Sequence, residues 1–383
     1  MKRVLIAAIV LVWFTMAAAA QSLDDLNLQI HGFAAQAFLY SNANNYLGMN
    51  TSSGSSAWTE AALNVNDQVL DKLRVGVQFH YTRLGSFGGD ALNVDWALGD
   101  YKFNRWAGIR AGKVKIRWGL YNDTQDYDPG YLWALLPESV YGVDVRSTNL
   151  SQLGAELYGR IPLPKAVGKV DYSVYWGNYF YASDDGSAAS FSGQGINFSQ
   201  LPGGKTPGFD LRWSTPLSGL KLGGSLMTYD ASGTLANGSG TYNQPLAYWP
   251  TGYAEYDYKK MFLSGQYVRL VQYQTVTLQE EVPVTTSSDT HEWFVMGGYH
   301  ITDKLQAGSY YTRYTVAHAD STDPANYYRD WAISSRYDIN ANFYAKLEGH
   351  FIDGNGLGFY QLNNPNGLKA RTNLVVAKVG FTF

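Results

Sequence analysis

The chain has 383 residues, with 29 Lys and Arg against 32 Asp and Glu, and it contains no Cys. A weak negative charge argues against nucleic acid as a partner, and the lack of Cys excludes disulfides, thiol nucleophiles and Cys-ligated metals. Thirty Tyr, 17 Phe, 11 Trp and 40 Gly are present. Aromatic residues favour strands and suit a lipid–water boundary.

The first twenty residues predict a cleaved secretory signal peptide. Lys2 and Arg3 precede an apolar run over 4–16, and Ala18 and Ala20 supply small residues before Gln21. The run is too short for a membrane-spanning helix, which makes an uncleaved anchor the weaker alternative. A mature chain of 21–383 would keep 27 basic and 32 acidic residues, a net charge of −5.

From there on, hydrophobic residues alternate with period two. In 74–82, Val75, Val77, Phe79 and Tyr81 share one face, and polar or small residues occupy the other. The same alternation recurs in the segments 170–177, 209–214, 343–352 and 369–383. A strand with one apolar and one polar face fits lipid outside and water inside.

The connections between these segments alternate between about seven short turns and about eight longer loops rich in Gly, Ser and Asn. That alternation predicts about sixteen antiparallel strands, the first near 26–41 and the last near 369–383. Outer-membrane barrels have short periplasmic turns and long extracellular loops, and closure satisfies every backbone group in lipid. We therefore expect one all-β domain over 21–383, a closed transmembrane barrel without a second domain.

One loop stands out as a candidate constriction of the barrel lumen. The segment 118–150 contains Trp133, Leu135, Leu136 and Val140, which would be poorly placed in water. A sixteen-stranded barrel is wide enough for an aqueous channel, so this loop can pack against the inner wall. A surface loop packed on its neighbours or in a subunit contact is the alternative.

Charged residues near this loop are candidates for lining a pore. Lys113, Lys115 and Arg117 alternate with Gly112, Val114 and Ile116, and cations avoid lipid, so we expect the three to face the lumen and favour anions. Alternatively, they pair with acids of the loop. The candidate loop acids are Asp123, Asp126, Asp128, Glu138 and Asp144. Further candidate wall residues are Arg74, His80, Arg212, Lys346 and Lys378.

The chain also resembles a known family. The signal peptide, the sixteen-strand pattern, Phe383 and the segment 110–120 are similar to the bacterial porin superfamily that includes phosphate-selective porins. In that group the segment corresponding to Gly112, Lys113, Gly119 and Leu120 enters an inward-folded third loop. The resemblance implies an outer-membrane channel, often a trimer, whose terminal Phe is read by the barrel-assembly machinery.

The predicted function is a water-filled porin in the bacterial outer membrane for small hydrophilic solutes, with anions preferred. Its partners would be outer-membrane lipid, lipopolysaccharide and those solutes, with no metal or cofactor. A substrate-specific transporter remains an alternative. So do an outer-membrane enzyme and a secreted glycan-binding β-protein, although the six His are scattered and no catalytic motif is evident.

Overall fold

The computed structural model describes residues 28–279 and 281–383. The predicted signal peptide, 1–20, lies outside the described residues. Within the described ranges, no helix has both the length and the apolar character needed to cross a membrane.

The described chain consists mainly of long strands, with two short α-helices and six single-turn 3-10 helices in connecting segments. The strands are β1 Leu28–Ser41, β2 Ser55–Leu70, β3 Leu73–Leu84, β4 Phe87–Asn104, β5 Ala107–Lys115, β6 Ser151–Pro162, β7 Lys169–Phe180, β8 Phe198–Lys205, β9 Gly208–Ser214, β10 Leu220–Leu235, β11 Gly240–Tyr258, β12 Met261–Leu278, β13 Val284–His300, β14 Leu305–Val316, β15 Tyr327–Asp338, β16 Phe343–Asp353 and β17 Arg371–Thr382. The α-helices are α1 Arg146–Asn149 and α2 Gly186–Gly193.

Seventeen strand segments build a sheet of sixteen strands. Both β8 and β9 pair with β7 on one side and β10 on the other, so together they act as one strand interrupted at Thr206 and Pro207. Proline cannot donate a ladder hydrogen bond, which is consistent with a break at this point. All pairings are antiparallel between neighbours, and β17 pairs with β1 to close the barrel.

The closed barrel confirms the predicted fold class. Side chains of β17 alternate as expected: Val375 and Val379 are 47% and 56% exposed on the outer face, whereas Leu374 and Val376 are buried inside. A soluble protein would bury such residues, but hydrocarbon accepts them on the outer face. The side chains of β16 alternate in the same way, and Leu347 and Phe351 face outward.

The two ends of the barrel differ in their connections. All the predicted short turns lie at one end, together with the start of β1 and the end of β17. At the opposite end, several of the predicted longer loops are shorter than expected because the strands continue further; for example, β3 and β4 join through residues 85–86, and β10 and β11 join through 236–239. We refer to these as the short-turn end and the long-loop end.

Candidate functional site: the lumen and its inner segment

The chain leaves the wall after β5 and returns at β6. We call residues 116–150 the inner segment. Pairing of β4 with β5 ends at Lys113 and pairing of β5 with β6 at Lys115, and from there the chain crosses the lumen to contact β10 and β16. The predicted candidate loop therefore begins within two residues of its expected start, but β5 ends at Lys115, so Arg117 belongs to the inner segment and not to the strand.

The inner segment packs its apolar side chains against the lumen-facing side chains of β7 and β10–β15. Trp118 lies 5.0 Å from Trp249 between ring centroids, and Trp133 lies 5.1 Å from Tyr310. The same cluster includes Ile116 and Tyr141 from the inner segment, both buried. Burial of these large rings against the wall fixes the segment inside the barrel.

Charged side chains of β15 and β16 hold the middle of the inner segment by its backbone. Arg336 donates to the carbonyl of Tyr131 at 2.9 Å, and Lys346 donates to the carbonyls of Asp128 and Trp133 at 2.8 and 2.9 Å. The Glu348 carboxylate accepts hydrogen bonds from the backbone N–H groups of Ala134 and Leu135 at 3.1 and 3.0 Å. These charges compensate backbone groups that would otherwise be buried without partners.

Asp128 is the most heavily paired acid of the inner segment. Its carboxylate contacts Lys378 at 2.6 Å and Lys346 at 3.0 Å, and it accepts a hydrogen bond from the Tyr344 hydroxyl at 2.6 Å. Lys378 also contacts Glu60 on β2. These two cations outweigh burial and hold the pKa of Asp128 below its usual range. Predicted candidates Asp128, Lys346 and Lys378 thus form one buried ionic cluster.

The three cations at the end of β5 do not form the single lumen-facing row that the sequence predicts. Lys113 is in register with Leu153 of β6, which is 56% exposed on the outer face, and its ammonium bonds to the carbonyl of Val94. The residues that face inward are Val114 and Ile116, 1% and 0% exposed. The register of β5 with β6 therefore excludes Lys113 from the inward-facing residues, contrary to the expectation, and its ammonium lies against the edge of β4.

Lys115 and Arg117 reach the lumen for a different reason. Because β5 has by then left β4, the Lys115 ammonium reaches over the Trp96 ring to bind Asp126 at 2.7 Å. The Arg117 guanidinium lies 3.4 Å from Asp210 and 3.8 Å from Asp123. Both cations therefore pair with carboxylates, as in the alternative kept open above.

Arg212 completes this pairing from β9, three strands away from β5 in the wall. Its guanidinium contacts Asp123 at 3.3 Å and Asp210 at 2.8 Å. Two guanidiniums and two carboxylates thus meet where the inner segment leaves β5. The cluster joins the inner segment to β9 electrostatically.

A second polar cluster lies between β3, β4 and the end of the inner segment. Arg146 contacts Asp95 at 3.0 Å and the ring of His80 at 2.9 Å. Gln78 donates to Asp95 at 3.2 Å and to Asp126 at 2.6 Å. Asp95 is the unpaired residue of a β-bulge opposite Gln78, which lets its carboxylate enter the lumen.

At the short-turn end, a cavity of about 240 Å³ adjoins the inner segment. Arg74 and Arg110 share Asp100, at 3.3 and 3.2 Å, and Arg110 also contacts Glu156 at 2.9 Å. Lys115, Arg117 and Asp123 line its other side. Among the residues that line this cavity, four are cations and two are acids.

At the long-loop end, a cavity of about 1350 Å³ is acidic. Glu138, Asp144, Asp184 and Asp185 line it, and none of the described lining residues is basic. Burial raises the pKa of Glu138, which the neighbouring carboxyl group of Asp144 raises further. Burial also raises the pKa of Asp144, and it raises the pKa of Asp185 to about 6. The acidic charge of this cavity therefore depends on pH near neutrality.

Sequence reasoning missed several residues that define the lumen. Arg146 and Asp95 lie in segments without clear alternation, and nothing in the sequence pairs them. Arg110 and Arg336, in contrast, lie on strands with a period-two pattern. Their position on the polar face of those strands was a usable signal for a role in the lumen.

Comparison with known proteins supports the fold. No family model matches the sequence, and the search of curated proteins gives no match. Among solved structures, the trimer form of Vibrio cholerae OmpT, an outer membrane protein, is 10% identical with a TM-score of 0.57, covering 94% of this chain and 99% of that chain. Salmonella typhi OmpF in complex with daunomycin is 12% identical with a TM-score of 0.56, covering 94% and 98%.

At these identities the similarity concerns the fold alone. The protein is a closed sixteen-stranded antiparallel barrel of the outer-membrane type, a fold consistent with the bacterial outer membrane. The narrower resemblance to phosphate-selective porins stays a prediction.

Proposed function

We propose that the protein forms a water-filled channel through which small hydrophilic solutes diffuse across the outer membrane. The observation that carries this proposal is the position of the inner segment. It lies inside a closed barrel, between a wide cavity at the long-loop end and a smaller one at the short-turn end. Both cavities are lined by charged and polar side chains, as a path for hydrated solutes requires.

The smaller cavity supports a weak preference for anions. Arg74, Arg110, Lys115 and Arg117 outnumber the acids that line it. In a confined space, charges act at distances shorter than the screening length of about 8 Å at physiological salt. The acidic outer cavity opposes this preference, so we expect it to be modest.

Conductance in planar lipid bilayers tests the proposal. Purified protein should insert as a channel, and its reversal potential in a KCl gradient should indicate chloride preference. Replacing the two lumenal cations, Lys115→Gln with Arg117→Gln, should lower the chloride-to-potassium permeability ratio. Arg269→Gln is the control: Arg269 lies on the outer face of β12, where it pairs with Asp289, so its replacement should leave the ratio unchanged.

Other outcomes would count against the proposal. Repeated insertion of folded barrels without conductance would contradict a channel and favour a transporter specific for one substrate. Equal ratios in the double variant and the control would contradict the assigned charge selectivity. Blocking of the current by one solute among many competing solutes would identify a selective channel instead of a general one.

We further propose that the channel is a homotrimer without catalytic activity. The trimer form of the similar Vibrio cholerae OmpT supports the assembly. Native mass spectrometry of the detergent-extracted protein should give three copies per particle. A monomer in mild detergent would contradict the trimer, and turnover of a substrate by the purified barrel would contradict the assignment as a channel.

A further inference from the structure

The outer surface carries a row of charged residues at the long-loop end of four adjacent strands. Arg313 on β14 is in register with Arg329 on β15, Arg329 with Asp353 on β16, and Asp353 with Arg371 on β17. We call these four residues the arginine row. They are on the outer face because their neighbours Thr312, Asp330 and Thr372 are buried inside.

The arginine row has more positive than negative charge. Asp353 is the acidic residue of the row, and its carboxylate lies 3.2 Å from the guanidinium of Arg329 and 3.6 Å from that of Arg371. Among residues 28–279 and 281–383, no carboxylate lies within 4.0 Å of Arg313, and the Arg313 Nε is buried without a hydrogen-bond partner. Three guanidiniums and one carboxylate leave two positive charges.

Another arginine of the same face and the same end is already neutralised. Arg269 on β12 donates to both oxygens of Asp289 on β13, at 2.9 and 2.7 Å. The excess charge is therefore a local property of β14–β17. It also offers a matched control, because Arg269 shares the location but not the imbalance.

Directly below the arginine row lies an apolar belt. It consists of Tyr311, Trp331 and Phe351, which lie on the same face. Each is two residues nearer the short-turn end than the row residue on its own strand. Trp331 and Phe351 are 57% and 54% exposed, and the rings of Tyr311 and Trp331 lie 4.9 Å apart. Aromatic belts mark the lipid–water interface of outer-membrane barrels, so the row lies at the level of lipid headgroups.

We propose that the arginine row binds the phosphate groups of a phosphorylated glycolipid of the outer leaflet, the lipid A part of lipopolysaccharide. Guanidinium groups match phosphate oxygens in a bidentate geometry. With strands about 4.8 Å apart, four strands span about 14 Å, enough for a headgroup with more than one phosphate. The apolar belt favours a lipid over free phosphate, because it contacts acyl chains in the same molecule.

Native mass spectrometry of the detergent-purified protein tests this site, with lipid A bearing two phosphates as the probe. The double variant Arg313→Gln with Arg371→Gln removes the two excess charges and leaves the Arg329–Asp353 pair. We expect its affinity for the probe to fall by at least about tenfold, since each charged hydrogen bond contributes roughly that factor. Arg269→Gln should bind like the unchanged protein, and all three proteins should keep heat-modifiable gel mobility.

Three results would overturn the proposal. Equal binding by the double variant and Arg269→Gln would remove the arginine row as the site. Equal binding of dephosphorylated lipid A would remove phosphate as the recognised group. Displacement of lipid A by inorganic phosphate at equal concentration would show that the acyl chains contribute nothing. Channel conductance is a separate measurement on the lumen, so neither proposal depends on the other.

Discussion

At the residue scale, the buried charges of the lumen are tolerated because each has specific partners. Glu348 has a fully buried side chain. Its carboxylate accepts hydrogen bonds from two backbone N–H groups and contacts His350 at 3.0 Å. His350 in turn contacts Asp330 at 2.7 Å. Isolated buried charges are costly, whereas charges with complete hydrogen bonding are not. The position of the inner segment depends on this network.

Replacing Glu348 should release the middle of the inner segment. Glu348→Ala should lower the free energy of unfolding by about 3–5 kcal/mol, because removal of one member of a buried pair leaves its partners without compensation. Glu348→Gln, which keeps one acceptor oxygen, should cost less. Urea unfolding in lipid vesicles measures the change. Asp171→Ala is the control, since Asp171 pairs with the half-exposed Arg160 at the short-turn end; equal losses in both alanine variants would contradict the assigned role.

The sequence could not predict these partners. Asp128 and Lys378 are separated by 250 positions, and their contact depends on how the inner segment crosses the lumen. Lys113 shows the opposite error: its charge alone suggested the lumen, but the register of β5 with β6 excludes it from the inward-facing residues. Charge and spacing find candidates for a lumen, whereas pairing depends on tertiary geometry.

At the element scale, the period-two pattern was sufficient for the fold. The first and last strands were expected near 26–41 and 369–383, and they span Leu28–Ser41 and Arg371–Thr382. The pattern failed for β8, because this segment lies in a polar stretch that resembles a loop and pairs only briefly with β7. Alternation is visible where one face meets lipid, and it fades where strands extend beyond the membrane.

The outer face should reject charge in proportion to its depth in the membrane. Leu347 lies at the middle of β16 and is 57% exposed. Leu347→Arg should destabilise the barrel by about 2–4 kcal/mol, the cost of a cation near the bilayer midplane. Leu362→Arg, in the loop between β16 and β17, should change little because Leu362 is 86% exposed outside any strand. Unfolding in lipid vesicles compares the two, and equal stabilities would contradict a lipid-facing β16.

At the scale of the whole molecule, the two cavities have opposite charge. The cavity at the short-turn end is rich in cations, and the cavity at the long-loop end contains only acids among its described charged lining residues. A solute that crosses the barrel would meet both. Net selectivity therefore depends on the protonation of the outer acids.

Selectivity should change with pH near 6. Asp185 loses its proton as pH rises through a pKa of about 6, which adds negative charge to the outer cavity. Chloride preference should therefore be greater at pH 5 than at pH 8, as measured by reversal potential. Asp185→Asn keeps an acceptor for the α2 N-terminus and should reduce this pH dependence. An unchanged dependence in the variant would assign the effect to other groups.

Joining β1 to β17 has a consequence for how the protein is made. Thr382 bonds to Gly32, 350 positions earlier in the chain, so the pairing of β1 with β17 joins segments far apart in sequence. Contacts of such long range form slowly, because closing the intervening loop costs entropy. Until this pairing forms, the first and last strands each expose a ladder of unpaired N–H and C=O groups, which invite wrong pairing between molecules. Covering both edges until the ring is sealed would prevent this wrong pairing during insertion.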